Sequence, residues 1–117
     1  MRVVLDTNVV ASALLWGGTP ECLIEAAGDG KLELVTSEAR SAEIGARYRE
    51  IAEIVDATPI EEAALRDPDD AAVLACALAA RAEAIVSGDG DLHALGTYQC
   101  IRILSPVEAL ALVGAST

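Results

Sequence analysis

The chain has 117 residues, of which 53% are hydrophobic, enough for the core of one compact domain over residues 1–117. Its net charge of −11 has the wrong sign for gripping nucleic acid through bulk charge. No apolar run approaches the ~20 residues of a membrane span, so we expect no membrane contact. The first acid comes at Asp6, too early for a signal peptide, which favours a cytoplasmic protein.

The first half of the sequence predicts two strands and three helices. In chain order these are a strand over residues 2–5, a helix over 8–15, a helix that Thr19 caps and that ends at the turn 28–30, a strand over 32–35, and a helix that Thr36 or Ser37 caps. The third helix carries Ile44, Tyr48, Ile51 and Val55 on one face, because spacings of 4, 3 and 4 follow the helical period. Pro59 ends it.

The second half continues the alternation of strands and helices. Asp67 or Asp69 caps an Ala-rich helix over 71–81, and a strand over 83–87, a tight loop over 88–91, a strand over 101–104 and a closing helix over 106–113 follow. Such alternation is typical of an α/β fold. We therefore expect three α/β/α layers around a central, mostly parallel sheet of about four strands.

Acidic residues lie where parallel strands are expected to end. Asp6 directly follows the first strand, and Asp89 follows the third after one glycine, so both should point into the crevice at the carboxyl edge of the sheet. Asp70 lies in the first turn of the preceding helix, and Glu43 lies within the third helix. Clustered carboxylates repel each other unless a cation lies among them, and Mg²⁺ prefers oxygen ligands together with substrate phosphate.

Four segments, in order along the chain, resemble the PIN-domain family. Val-Leu-Asp-Thr-Asn-Val-Val at 4–10 resembles its opening, and Arg-Asp-Pro-Asp-Asp at 66–70 resembles its third conserved block. Ala-Ile-Val-Ser-Gly-Asp-Gly-Asp-Leu at 84–92 resembles the fourth block, with Ser87 where Thr is usual, and residues 103–108 match the closing strand and helix. The chain is similar in particular to stand-alone bacterial and archaeal PIN proteins regarded as toxins, related to the VapC-like ribonucleases.

The resemblance implies an endoribonuclease that hydrolyses RNA phosphodiesters with a water activated by Mg²⁺ or Mn²⁺. It implies RNA as substrate and an antitoxin protein as partner. By position, the family's acidic residues that would ligate the metal fall on Asp6, Glu43, Asp70 and Asp89, with Asp91 as an additional ligand. Supporting roles would fall on Thr7, which would orient Asp6 or a water, on Asn8, which would brace the first helix, and on Ser87.

Simpler explanations exist for several of these residues. Turn chemistry accounts for Asp89, helix capping for part of the 67–70 cluster, and ion pairing along a helix for Glu43. His93, the only histidine, is expected on a loop or a helix face rather than as a catalytic base. Each of the three cysteines lies in an apolar stretch, so we expect all three to be buried.

The segment after Glu43 raises a second possible function. The family has a longer helical stretch there than residues 44–60 provide. A PIN-derived binding or scaffold module with little catalysis is therefore the alternative. A phosphoaspartate enzyme using Asp6 is disfavoured, because position 8 is not Asp and the only lysine is Lys31, in a turn. The abundance of Ala, Leu and Val also predicts exposed apolar helix surface and a homodimer.

Overall fold

The computed structural model describes residues 1–15, 18–37, 52–57 and 68–115. In these ranges the strands are β1 Arg2–Leu5, β2 Glu33–Ser37, β3 Ala52–Val55, β4 Ala84–Val86, β5 Thr97–Tyr98 and β6 Ile101–Leu104. The helices are α1 Thr7–Leu15, α2 Thr19–Gly28, α3 Pro68–Ala80, α4 Gly90–Leu95 and α5 Pro106–Ala115. Within the same ranges, none of the helices is long and apolar enough to cross a membrane.

The strands form one sheet in the order β3-β2-β1-β4-β6-β5. All neighbouring pairs are parallel except β5 with β6, which is antiparallel. The central strand β1 is an apolar run, as expected for a parallel strand covered on both faces. The expectation of a mostly parallel sheet between helices is confirmed, but the sheet has six strands rather than about four.

Alternating side chains on the strands build two cores, one on each face of the sheet. Val3 and Leu5 of β1 pack with buried residues of α1, α2 and α5. Val4 between them faces the other way and packs with buried residues of α3 and α4. The molecule therefore has three layers, with α3 and α4 on the face that Val4 shares.

The third predicted helix is wrong at its carboxyl end. Val55, assigned to its apolar face, lies in β3, which pairs in parallel with β2 so that Val55 is opposite Ser37. Ile54 and Val55 are β-branched and suit a strand, and the free edge of β2 supplies the partner. Ile44, Tyr48 and Ile51 lie outside the described residues.

Two helix starts differ from the expected capping. The helix α2 begins at Thr19 itself, so the N-cap is Gly18 rather than Thr19. The helix α3 begins at Pro68, three residues before the predicted start, because Pro is favoured in the first turn of a helix. Asp69 is therefore inside the first turn and cannot be the cap, while Asp67 lies outside the described residues.

The segment after β4 and two of the cysteines also depart from expectation. The predicted tight loop contains the start of α4, and the short strand β5 was not predicted. Cys76 is buried as expected. Cys22 and Cys100 are exposed, because one lies on the outer side of α2 and the other in the turn between β5 and β6.

Arg2 marks the amino edge of the sheet. Its Nη1 lies 2.7 Å from a carboxylate oxygen of Glu53 and 3.0 Å from one of Glu33, and its Nε donates to the Ala80 carbonyl at 3.0 Å. The hydrogen bond to Glu53, and then that to Glu33, raises the pKa of the Arg2 guanidinium. The contact with Ala80 also shows that α3 ends at this edge.

Candidate functional site at the carboxyl edge of the sheet

Three buried polar side chains lie in a row where β2, β1 and β4 end. The register that pairs Leu5 with Val86 continues to Asp6 and Ser87, and Ser37 comes opposite Asp6 from the other neighbouring strand. Asp6, Ser37 and Ser87 are all buried. Side-chain alternation turns them toward the α3 face of the sheet. Ser37 was expected to cap a helix, and its place in this row was not predicted from the sequence.

Asp6 is held from both sides although it is only 5% exposed. Its Oδ1 accepts a hydrogen bond from the backbone N–H of Asn8 at 3.1 Å, and its Oδ2 accepts one from the Ser87 hydroxyl at 2.6 Å. Its carbonyl oxygen accepts from the N–H groups of Val9 and Val10, so Asp6 caps α1. The helix N-terminus favours a negative charge here, and the carboxylate oxygens retain lone pairs for a further partner.

Ser87 links Asp6 to Asp89. The backbone N–H of Asp89 donates to Ser87 Oγ at 2.9 Å. Since that oxygen accepts from Asp89, its single proton is directed to Asp6 Oδ2. The half-buried Asp89 in turn caps α4, because its Oδ1 accepts from the backbone N–H of Leu92 at 3.2 Å.

Asp70 approaches the same edge from the helix above the sheet. It lies in the first turn of α3, as predicted, and is only 4% exposed. The end of α3 contacts Arg2 at the amino edge. Since α3 packs across β1, β2 and β4, its first turn lies toward the opposite, carboxyl edge.

His93 completes the surroundings of Ser87. Its ring Nε2 lies 2.5 Å from the Ser87 carbonyl oxygen, and its backbone N–H donates to the Asp89 carbonyl oxygen at 3.1 Å. The expectation of a residue on a helix face is confirmed, since His93 belongs to α4. Its contact with Ser87 was not foreseen, because no motif in the sequence carries it.

The structure leaves other predicted site residues open. Glu43 lies outside the described residues, and for Thr7 and Asp91 only the backbone is described, in α1 and α4. Asn8 is exposed and contributes its N–H to Asp6. Within the described ranges, no three His, Cys, Asp or Glu side chains gather as ligands of one metal ion.

The donors at this edge nevertheless fit a hard divalent cation. Asp6 and Asp70 are buried carboxylates, and Ser37 and Ser87 add buried hydroxyl oxygens. Burying two negative charges without a cation is costly. An oxygen-only donor set suits Mg²⁺ or Mn²⁺ and does not suit a thiolate-binding metal.

A comparison with known families agrees with this geometry. The family model described as PIN domain matches residues 2–91, which include Asp6, Asp70, Ser87 and Asp89. No curated protein and no solved structure matches the chain. PIN domains are generally nucleases, which are hydrolases, and they usually use divalent metal ions. Because the match spans most of its length, the chain belongs to the PIN-domain family.

Proposed function

We propose that this PIN domain is a metal-dependent endoribonuclease whose site is the carboxyl edge formed by Asp6, Ser87, Asp89 and Asp70. One observation carries the proposal: the Asp6 carboxylate is 5% exposed, at the end of the central strand, and is oriented by hydrogen bonds to both oxygens. A structural helix cap needs no burial, since caps function at exposed helix ends. A buried, oriented carboxylate beside a second buried carboxylate is what a cation site requires.

The residues divide into ligands and supports. Asp6 and Asp70 are the buried ligands, and Asp89 presents its second carboxylate oxygen while Oδ1 caps α4. Ser87 and the Asn8 N–H fix the Asp6 carboxylate so that it need not reorganise on binding. By position in the family, Glu43 and Asp91 join the ligands, and Thr7 supports Asp6.

A bound Mg²⁺ or Mn²⁺ supplies a Lewis acid that lowers the pKa of water and stabilises charge on a phosphodiester. The chain's own charge makes this requirement strict. With 19 acidic and 8 basic residues, the protein repels RNA until the local negative charge is neutralised. We therefore expect cleavage to depend completely on the divalent ion.

The resemblance to VapC-like ribonucleases supports a place in a toxin–antitoxin pair. On this proposal the chain is a toxin that acts on cytoplasmic RNA, is held inactive by an antitoxin protein, and forms a homodimer. Exposed Leu15 and Val107 are apolar side chains that such protein contacts would cover.

The proposal is tested by incubating a mixed-sequence RNA pool with the purified protein in Mg²⁺, in Mn²⁺ and in chelator. We expect cleavage only with metal, and losses of more than ~100-fold in Asp6→Asn and in Asp89→Asn. Glu21→Gln is the matched control, because Glu21 is an exposed acid on α2, on the other face of the sheet. It should cleave like the wild type.

Two results would contradict the proposal. Equal cleavage by the wild type and both site variants indicates a contaminating nuclease. A folded wild type that binds RNA without cutting it, measured by fluorescence anisotropy, favours the binding or scaffold alternative.

A further inference from the structure

The ring of His93 is a hydrogen-bond donor to the main chain at the site. Its Nε2 lies 2.5 Å from the Ser87 carbonyl oxygen. A carbonyl oxygen can only accept, so the proton of this bond belongs to Nε2. That nitrogen is therefore occupied as a donor and does not act as a base.

The carbonyl that His93 holds belongs to a segment with little stiffness of its own. The peptide after Ser87 leads to Gly88, and Asp89 has a glycine on each side. Both glycines have open space around them, so packing does not fix the backbone there. Two α4 residues hold the segment instead: His93 binds the Ser87 carbonyl, and the Leu92 N–H binds Asp89 Oδ1.

Fixing this segment determines where the Ser87 proton goes. With the Ser87 carbonyl held, the chain turns so that the Asp89 N–H points at Ser87 Oγ, at 2.9 Å. That contact leaves the hydroxyl proton for Asp6 Oδ2, at 2.6 Å. The orientation of the central carboxylate thus depends, through Ser87, on a residue that does not touch it.

We propose that His93 is a positioning residue of the carboxylate site: by donating to the Ser87 carbonyl it holds the 87–89 segment in the form that orients Asp6 and presents Asp89. The arrangement stands on the contacts of His93, Ser87 and Asp89. Its consequence for metal binding and cleavage rests on the proposed function.

Two substitutions at this position separate the hydrogen bond from the bulk of the ring. His93→Gln retains a donor, because the Gln side-chain amide nitrogen reaches about as far as Nε2. His93→Leu retains apolar bulk and removes the donor. Leu95→Ala is the packing control, because half-buried Leu95 is on the same helix, packs against the α3-side core and belongs to no part of the site.

The first measurement uses metal-free protein and amide hydrogen exchange by NMR. In His93→Leu we expect the Asp89 amide to exchange at least ~10-fold faster, with a smaller change at the His93 amide, which reports the first turn of α4. His93→Gln should restore protection at Asp89. Leu95→Ala should affect both amides alike. Unchanged protection of Asp89 in His93→Leu overturns the proposal.

The second measurement uses Mn²⁺ alone in calorimetry, followed by RNA cleavage. Since outer-shell partners of metal ligands matter by 10–100-fold, we expect His93→Leu to weaken Mn²⁺ binding by ~10-fold and to lower kcat with little change in KM. His93→Gln should recover most of both, and Leu95→Ala should retain Mn²⁺ affinity. Wild-type Mn²⁺ affinity in His93→Leu contradicts the proposal. If the wild type binds Mn²⁺ and the variants respond as expected but no RNA is cut, the positioning role is supported and the nuclease proposal fails.

Discussion

Asp6 shows how one residue can serve the fold and the site together. Its main-chain carbonyl starts α1, its side chain caps the same helix, and its N–H continues the sheet by donating to the Val86 carbonyl. Each of these contacts offsets part of the cost of burying a carboxylate. The hydrogen bonds leave room for a cation at the oxygens, so the structural role does not exclude the proposed ligand role.

The Ser87 hydroxyl should be worth more to stability than an ordinary buried hydroxyl. Ser87→Ala removes the donor to buried Asp6 Oδ2 and the acceptor for Asp89 N–H, so we expect a loss of ~1–3 kcal/mol of unfolding free energy in urea. Ser87→Thr keeps the hydroxyl and should lose less. Thr36→Val is the matched control, because Thr36 Oγ1 is buried with no hydrogen-bond partner among the described residues. It should be neutral or stabilising, and equal losses in Ser87→Ala and Thr36→Val would contradict this assignment.

The sequence located those site residues that follow a recognisable local pattern. Asp6 and Asp89 come after apolar strands, and Asp70 comes within the first turn of an Ala-rich helix, so their positions followed from chain order. Ser37 and His93 carry no such pattern. Ser37 enters the row only through the register between β1 and β2, and His93 reaches Ser87 only through the fold of α4.

At the scale of elements, the turn between β5 and β6 is strained. Gln99 and Cys100 have φ of 46° and 70°, in the left-handed region where Asn and Gly are preferred for two-residue hairpins. Cys100→Gly should therefore stabilise the protein by roughly 0.5–1 kcal/mol, after allowing for the greater freedom of glycine in the unfolded chain.

The control for the hairpin variant is Gly96→Ala. Gly96 has φ of 69° with open space around it, so an added Cβ meets only backbone strain. This variant should be destabilised by a similar amount. Chemical denaturation measures both changes, and a destabilised Cys100→Gly would show that the turn residue contributes through other contacts.

The helix α5 begins with a reciprocal pair of capping hydrogen bonds that titrates. Ser105 N–H donates to Glu108 Oε1 at 3.0 Å, and Glu108 N–H donates to Ser105 Oγ at 3.1 Å. The bond from the Ser105 backbone, and then the Ser105 side chain, lowers the pKa of the exposed Glu108 carboxyl. A lowered folded-state pKa means that the stabilisation is present at neutral pH and is lost as pH falls through that pKa.

Glu108→Gln separates the charge from the cap, because Gln can still accept the Ser105 N–H. The wild type should be more stable than Glu108→Gln at neutral pH, and the difference should vanish as the pH falls below the ordinary range of glutamate. Glu108→Ala should be less stable than Glu108→Gln. Unfolding free energies measured across pH 3–7, roughly that range, check this, and a constant difference between wild type and Gln would contradict it.

Elements, like residues, were predictable where local pattern and final pairing agree. The strands β1 and β6 and the helices α1 and α3 have apolar runs or helix-forming residues bounded by clear stop or start signals. The strand β3 was assigned to a helix because its spacing suits either structure, and only the edge of β2 decides. The strand β5 has two residues and a turn without Asn or Gly, too little signal for a prediction.

At the scale of the molecule, exposed apolar side chains support self-association. Leu15 at the end of α1 is 73% exposed, and Val107 on α5 is 67% exposed. We expect light scattering to give the mass of a homodimer at protein concentrations of tens of micromolar, on the order of usual working conditions. Leu15→Asp or Val107→Asp should shift the mass toward the monomer if that residue is in the interface. A monomeric wild type would contradict the expectation.

The central claim, that the carboxyl edge binds a divalent cation, is tested most directly by thermal unfolding in chelator and in Mn²⁺. Asp89→Asn is the informative variant, because Asn also caps helices well, so α4 keeps its cap while the site loses a negative charge. In chelator the variant should be more stable than the wild type, since like charges at the site repel. Mn²⁺ at 100 times its dissociation constant should stabilise the wild type by ~2.7 kcal/mol and the variant much less, while Glu21→Gln should respond like the wild type. If the wild type gains nothing from Mn²⁺ and Asp89→Asn is no more stable in chelator, the carboxylates at this edge do not form a cation site.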